Sequence, residues 1–147
     1  MKTTNRSRNC WGFTLVEIMA VIVILGLLMA IAAKNFMGQT EKARVTTTKA
    51  TLMNLDEAVN LFKMDTGRYP TEEEGIMALI EQPTDVDTWP PGGYLKGSKL
   101  PQDSWKHEFV FMLNPEDGKP FVIISYGADG QEGGEGYDAD IYSTELE

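Results

Sequence analysis

The chain has one cysteine, Cys10, and one histidine, His107. A single cysteine excludes an intrachain disulfide and any cysteine-based metal site, so the loops must be tied down by other means. Basic residues are also scarce: 13 Lys and Arg stand against 22 Asp and Glu, for a net charge of -9. An acidic chain repels phosphate backbones, which argues against nucleic-acid binding as its main function. Low-complexity tracts and internal repeats are absent. No G-x-S-x-G element and no other nucleophile motif accompanies His107, so a membrane-anchored enzyme finds little support, and a lone histidine beside a strand reads as structural. Its 147 residues amount to about one domain, with a modest core.

What is present is unevenly placed. Residues 1–12 hold Lys2, Arg6 and Arg8 and no acid, whereas residues 128–147 hold seven acids and no base. Between Phe13 and Ala33 the chain is apolar except for Thr14 and Glu17. As a helix this stretch spans roughly 31 Å, about the thickness of a bilayer core. A lone strand cannot satisfy its backbone in lipid, so helix is the expected state despite the many β-branched residues. Two readings remain open on physical grounds. One is a cleavable secretory signal ending at Ala30-Ile31-Ala32, which would release a secreted calcium-binding module. The other is a retained membrane helix behind a short basic leader. Glu17 favours the second, because an acid at membrane depth is costly and a disposable signal gains nothing from it.

Gly12-Phe13-Thr14-Leu15-Val16-Glu17 resembles the processing site of type IV pilins and pseudopilins. That resemblance implies a basic leader over residues 1–12, cut after Gly12 by a prepilin peptidase, and methylation of the new N-terminal Phe13. Cys10 would leave with the leader, and the net charge would move to -12, since three bases and no acids depart. It also implies a transmembrane and polymerisation helix over 13–33, and a periplasmic globular domain over 34–147 that includes the amphipathic half of the helix. Glu17 then has a partner: in a stack of parallel helices, the freed Phe13 amine of one subunit meets the carboxylate of its neighbour. Neither charge is tolerable alone in lipid, so the pair selects one axial register. Gly26, Ala30, Ala32 and Ala33 permit close helix contact. Where many pilin-like proteins carry a proline, this chain has Lys34, suited to snorkel at the headgroup boundary, with Gly38 as a weaker breaker.

Beyond Ala33 the pattern becomes amphipathic. Leu52, Leu55, Val59 and Phe62 share one helical face, which Ala58 and Leu61 widen. Gly67 is the expected C-terminal cap. Thr71-Glu72-Glu73-Glu74 reads as a capping box opening a short helix with Ile76, Met77, Leu79 and Ile80 on its apolar face, closed by Pro83. A loop from Gln82 to Trp105 follows, anchored by Trp89 and Trp105 packing beneath it. Strands are expected over Glu108–Leu113 and Pro120–Tyr126, joined by a hairpin loop at 114–119, with Ile141-Tyr142 as a short third strand. A long helix with a small antiparallel sheet makes an α+β domain.

Gly67-Arg68-Tyr69-Pro70-Thr71, Glu74-Gly75, Gly92-Gly93-Tyr94 and Leu100-Pro101-Gln102-Asp103-Ser104-Trp105 are similar to the major pseudopilins of type II secretion systems, which usually have proline where Ser104 stands. The resemblance thus covers nearly the whole chain. It implies a pilin-like structural subunit, not an enzyme, that polymerises into a short periplasmic pseudopilus driving protein export. Its implied partners are copies of itself, minor pseudopilins, the inner-membrane assembly platform and the prepilin peptidase. Its implied place is the bacterial inner membrane, single-pass. The alternative is a subunit of a type IV pilus or DNA-uptake pilus. The acidic tail argues against DNA uptake.

Residues 127–140 pack five acids and five glycines into 14 positions. Such a loop repels itself, and a hard cation with oxygen ligands would order it. It is not an EF-hand, and composition alone favours a solvated loop at least as much as a calcium site. The resemblance implies structural calcium in a C-terminal metal-binding loop, held by the side chains of Asp129, Asp138 and Asp140 and by backbone carbonyls of Tyr126 and Gln131. Glu132 and Glu135 read as solvated. Where many relatives have a tryptophan after the last ligand, this chain reads Ile141-Tyr142-Ser143.

Overall fold

The computed structural model describes residues 13–97, 99–115 and 118–146, without side-chain detail for 33–37. The leader at 1–12, with Cys10 and Gly12, the Lys34 side chain, and Glu116 and Asp117 in the hairpin loop lie outside the described residues. Helix α1 runs Leu15–Thr66, and the chain divides into two units at Gln39/Thr40.

In the first unit, α1 is apolar from Leu15 to Ala32, with a mean hydropathy of 2.8. None of that stretch is buried among the described residues, and by length and composition it is sufficient to cross a membrane.

In the second unit, the C-terminal half of α1 presents Leu52, Leu55, Val59 and Phe62 to the core, each fully buried, with Ala58 beside them. Leu61 corrects the expected width of that face: it is 45% exposed, because it lies on the flank turned to solvent. The helix stops where expected. The Gly67 N–H still donates to Lys63 O at 2.8 Å, but the Gly67 φ of +80° turns the chain away. A side chain at that φ would be strained, so glycine makes an inexpensive stop.

Three antiparallel strands lie in the order β1 (Val110–Leu113), β2 (Phe121–Ser125), β3 (Ile141–Tyr142). Val110 pairs with Ile124, Leu113 with Phe121, and Ser125 with Ile141. β1 begins later than its apolar pattern suggests because Glu108 pairs across to Gln102 instead of to β2. The Asn114 N–H closes the hairpin on Pro120 O at 2.9 Å. β2 is buried along its whole length, and its Ile123 N–H donates to Ser143 Oγ at 3.0 Å. Phe121 and Ile123 meet the helix face, and Phe109, Phe111 and Leu113 pack against the same cluster. Phe111 stacks on Phe121, and Tyr69 packs against the same ring at a tilt.

The segment after Pro70 departs from expectation. The capping hydrogen bonds form, Thr71 N–H to Glu74 Oε2 at 2.8 Å and Glu74 N–H to Thr71 Oγ1 at 3.2 Å. No α-helix follows, only a turn and a five-residue 3₁₀ helix, Gly75–Leu79. Gly75 takes a φ of +53° directly after the box, which ends the right-handed run before it can propagate. The tighter winding puts Ile76, Ala78 and Leu79 inward and leaves Met77 43% exposed, contrary to the expected face.

Glu74 has a second duty. Arg68 grips it with two hydrogen bonds of 2.8 Å and reaches Asp85 with two more of 2.8 and 2.9 Å, tying the helix exit to the following loop. The Arg68 hydrogen bond is the main cause holding the Glu74 carboxyl below its ordinary value of 4.5, against the opposing effect of burial. A depressed carboxyl contributes stability that is complete above the unfolded value and is lost as pH falls through the folded one. Glu74→Gln is therefore expected to cost about 1 kcal/mol at pH 7. Urea unfolding of both proteins should show that difference shrinking as pH drops below 4.5; a gap that stays constant down to the acid transition would contradict it.

Candidate assembly and metal sites

The head of α1 carries a local hydrogen-bond system. Thr14 donates its N–H to Glu17 Oε2 at 2.8 Å and its hydroxyl to the same oxygen at 3.1 Å, while the Glu17 N–H donates back to Thr14 Oγ1 at 3.2 Å. This is a capping box at the first turn of the apolar helix. It satisfies N–H groups that the first turn of a helix otherwise leaves without an intrahelical partner. The T-x-x-E spacing that marks Thr71 also marks Thr14, and sequence reasoning overlooked it there because both residues read only as interruptions of an apolar run. Phe13 stands exposed just ahead.

The acidic loop is held at its root by a buried carboxylate. Asp103 Oδ1 accepts the N–H groups of Trp105 at 2.9 Å and His107 at 2.8 Å, and Oδ2 accepts the Ser125 hydroxyl at 2.8 Å. The His107 Nδ1 lies 3.5 Å from Asp103 Oδ2 and 3.1 Å from the Gly127 carbonyl. Ser125 thus donates to aspartate and not to histidine, so the three residues form a scaffold and not a nucleophile with its base. The same turn places Lys106 at a φ of +78°, a left-handed conformation uncommon for lysine, closed by Lys106 N–H to Asp103 O at 3.1 Å. Ser104 and Thr48 share reciprocal hydrogen bonds, and Trp105 Nε1 donates to Glu41 Oε2 at 2.9 Å. The Gln102–His107 turn is thereby fastened to the helix, to β2 and to the loop. Trp105 is an anchor as expected, and Trp89 donates to Ala78 O at 3.3 Å. Two of the Asp103 hydrogen bonds are local, to Trp105 and His107, but the bonds that fasten the turn to β2 and to the loop, Asp103 to Ser125 and His107 to Gly127, span 22 and 20 positions and could not be inferred from spacing.

Within the loop, the Ala128 N–H donates to Tyr137 O at 2.9 Å, folding the two limbs together. Gly127 permits that approach: at its φ of +64°, a Cβ would lie 2.7 Å from the Asp138 carbonyl. Asp129 Oδ1 accepts the Gln131 N–H at 3.1 Å. Asp140 Oδ2 accepts the Gly133 N–H and the Tyr142 hydroxyl, both at 3.1 Å. Asp140 Oδ1 is buried and has no hydrogen-bond partner. Burial, reinforced by the bond to Asp140, pushes the Tyr142 hydroxyl above its ordinary value. Among the described residues, no three acidic, histidine or cysteine side chains gather into a metal-binding group. Asp129, Asp138 and Asp140 therefore lie in one loop but do not converge as a carboxylate trio.

The chain matches the family model for type II secretion system protein G over residues 35–144, and the model for the prokaryotic N-terminal methylation motif over residues 8–33. It is 39% identical to the type II secretion system core protein G of Vibrio cholerae serotype O1, with 97% of each chain covered. With the core protein G of Pseudomonas aeruginosa it shares 41% identity over 88% of this chain and 92% of the relative. A similar solved structure is the major pseudopilin from the type 2 secretion system of enterohaemorrhagic Escherichia coli, at a TM-score of 0.61 and 30% identity, covering 74% of this chain and 92% of that one. With helix, sheet and motif in agreement, the chain belongs to the type II secretion system protein G family, the major pseudopilins.

Proposed function

We propose that this chain is a structural subunit that polymerises through α1 into a pseudopilus driving type II protein secretion. The observation that carries this reading is the apolar stretch Leu15–Ala32, none of it buried among the described residues, with a carboxylate at its head. Uncovered apolar surface of that length is stable only in lipid or against other copies of itself. In this reading the peptidase cuts after Gly12, Phe13 is methylated, and Glu17 receives the Phe13 amine of the next subunit. The helix sits in the bacterial inner membrane and the domain in the periplasm. Minor pseudopilins and the assembly platform are the other partners. Glu17→Gln keeps the size of the side chain and removes its charge. It is expected to be processed normally and to yield no sheared fibres and no export. A Glu17→Gln subunit that polymerises and exports like wild type would overturn the pairing.

Calcium in the acidic loop belongs to the same reading. The buried, unpartnered Asp140 Oδ1 is an acceptor that suits a hard cation, and carboxylate and carbonyl oxygens are the donors calcium takes. The ion would have to draw in Asp129 and Asp138, which do not converge with Asp140 by themselves, together with the Tyr126 and Gln131 carbonyls. The ion would supply charge cancellation and so stand in for a disulfide. With a dissociation constant of about 10⁻⁴ M, 1 mM calcium stabilises the domain by roughly 1.4 kcal/mol, or about 5 °C. EDTA should remove that increment. An unchanged melting curve, with no metal retained in native mass spectrometry, would sink the site.

A further inference from the structure

A cavity of about 210 Å³ lies between α1 and the last limb of the acidic loop. Val45 and Lys49, about one helical turn apart, form its helix wall, and Asp140, Tyr142 and Glu145 line it from the loop and β3. Lys49 is held over this space by its neighbour Thr48, which is fully buried and exchanges hydrogen bonds with Ser104. Lys49 itself is half-buried, and among the described residues it makes no ion pair. Asp140, which shares the cavity, has its Oδ1 buried without a hydrogen-bond partner. Glu145 is exposed and has water to turn to, whereas Oδ1 has none. We propose that Lys49 is a built-in rival of calcium at this carboxylate: its ammonium supplies Asp140 with a positive charge from within the chain, and a divalent cation binds only by displacing it.

The proposal rests on the reading that calcium orders the acidic loop, and adds which residue sets how tightly it binds. A lysine amine is a compact charge with three donors on a flexible four-carbon stem. From a fixed point on the helix it can swing through a cavity of this size. Asp140 stays in place, because its other oxygen accepts from Gly133 and Tyr142. A buried carboxylate oxygen without a partner is costly, so either cation relieves it, and the two cannot occupy the same place. A divalent ion about 8 Å from the displaced ammonium is still repelled, enough to weaken binding roughly tenfold at the effective dielectric of a protein surface and less in high salt. Lys49 therefore acts in two directions. It supports the root of the loop when calcium is scarce, and it raises the calcium concentration at which the ion takes over.

The test titrates calcium chloride into the full chain in detergent micelles by calorimetry, and melts the same proteins in EDTA. Lys49→Met keeps the length of the side chain and removes its charge; Lys49→Arg keeps the charge. Lys96→Met removes an exposed base that lies outside this cavity, and so controls for the change in net charge. Lys49→Met is expected to bind calcium about tenfold more tightly than wild type and to melt lower in EDTA, so that calcium raises its melting temperature by more. Lys49→Arg and Lys96→Met are expected to stay within about twofold of the wild-type affinity. Unchanged or weaker affinity in Lys49→Met, while wild type binds, would overturn the rivalry and leave the calcium site intact; so would a melting temperature in EDTA no lower than that of wild type. Equal tightening in Lys96→Met would overturn it too, since overall charge would then be the cause. No calcium binding by wild type or by any variant would remove the calcium reading itself, and the proposal with it.

Discussion

Asp103→Ala is expected to destabilise the globular unit by about 3–5 kcal/mol, the range seen when one partner is deleted from a buried charged network. The carboxylate is fully shielded. Its removal strands the N–H groups of Trp105 and His107 and the hydroxyl of Ser125, all of which lose their acceptor at once. Each unsatisfied donor costs about 1–3 kcal/mol when water cannot replace the lost partner. The loss should also spread, because His107 links this carboxylate to Gly127 at the root of the acidic loop. Amide exchange at Ala128 and through the loop should accelerate in the variant. Asp103→Asn keeps one acceptor oxygen for the two N–H groups, and Ser125 can rotate to accept from the new amide. It is expected to cost well under half as much. Urea melts of the three proteins test this; an alanine variant within about 1 kcal/mol of wild type would mean that the turn finds another acceptor.

Phe62→Ala should be comparably severe, at about 3–5 kcal/mol. Phe62 is fully buried, meets Tyr94 edge-on at 5.5 Å between ring centroids, and lies under the Arg68 guanidinium at 5.6 Å. Alanine would leave a cavity where the helix, the Gln82–Trp105 loop and the Arg68 network converge. The Tyr94 hydroxyl, pushed up to about 12 by burial and its bond to Asp65, would lose the packing that shields it. The adjacent Leu61→Ala makes a sharp control. It removes a residue of similar hydrophobicity from the exposed flank, and a change within about 0.5 kcal/mol is expected. If the two substitutions cost alike, the burial pattern along α1 would be wrong.

That contrast marks what the amino-acid pattern could and could not convey. Leu52, Leu55, Val59 and Phe62 announce their face because helical periodicity is local, and their burial agrees. The hairpin and the Ile141-Tyr142 strand were legible for the same reason: alternation and turn residues act within a few positions. Leu61 and Met77 were misplaced because an apolar side chain at the edge of a face carries no mark of which side will be covered. The segment after Thr71 kept its capping chemistry but not its helix, since the handedness of Gly75 depends on where Arg68 and Asp85 need the chain to go. At the candidate sites, the Thr14–Glu17 box was present in the spacing and overlooked. Asp103 was not visible, because its burial and its bond to Ser125, 22 positions on, leave no local pattern, and its bonds to nearby Trp105 and His107 matter only once that burial is known. Whether Asp129, Asp138 and Asp140 serve a cation depends on loop geometry that composition does not encode.

The arrangement around β2 bears on how such a domain can be made. Its central strand has one edge closed by β1, which precedes it closely, and the other by Ile141, Tyr142 and Ser143, which follow only after the acidic loop. Further ties join positions 41 to 105 and 48 to 104. A chain emerging residue by residue therefore holds an apolar strand with an open ladder until position 143 arrives. Until then the sheet is a template for any passing backbone, and its closure is slow because the contacts that complete it span long loops. During that interval, strand exchange between unfinished copies would compete with closure of the sheet.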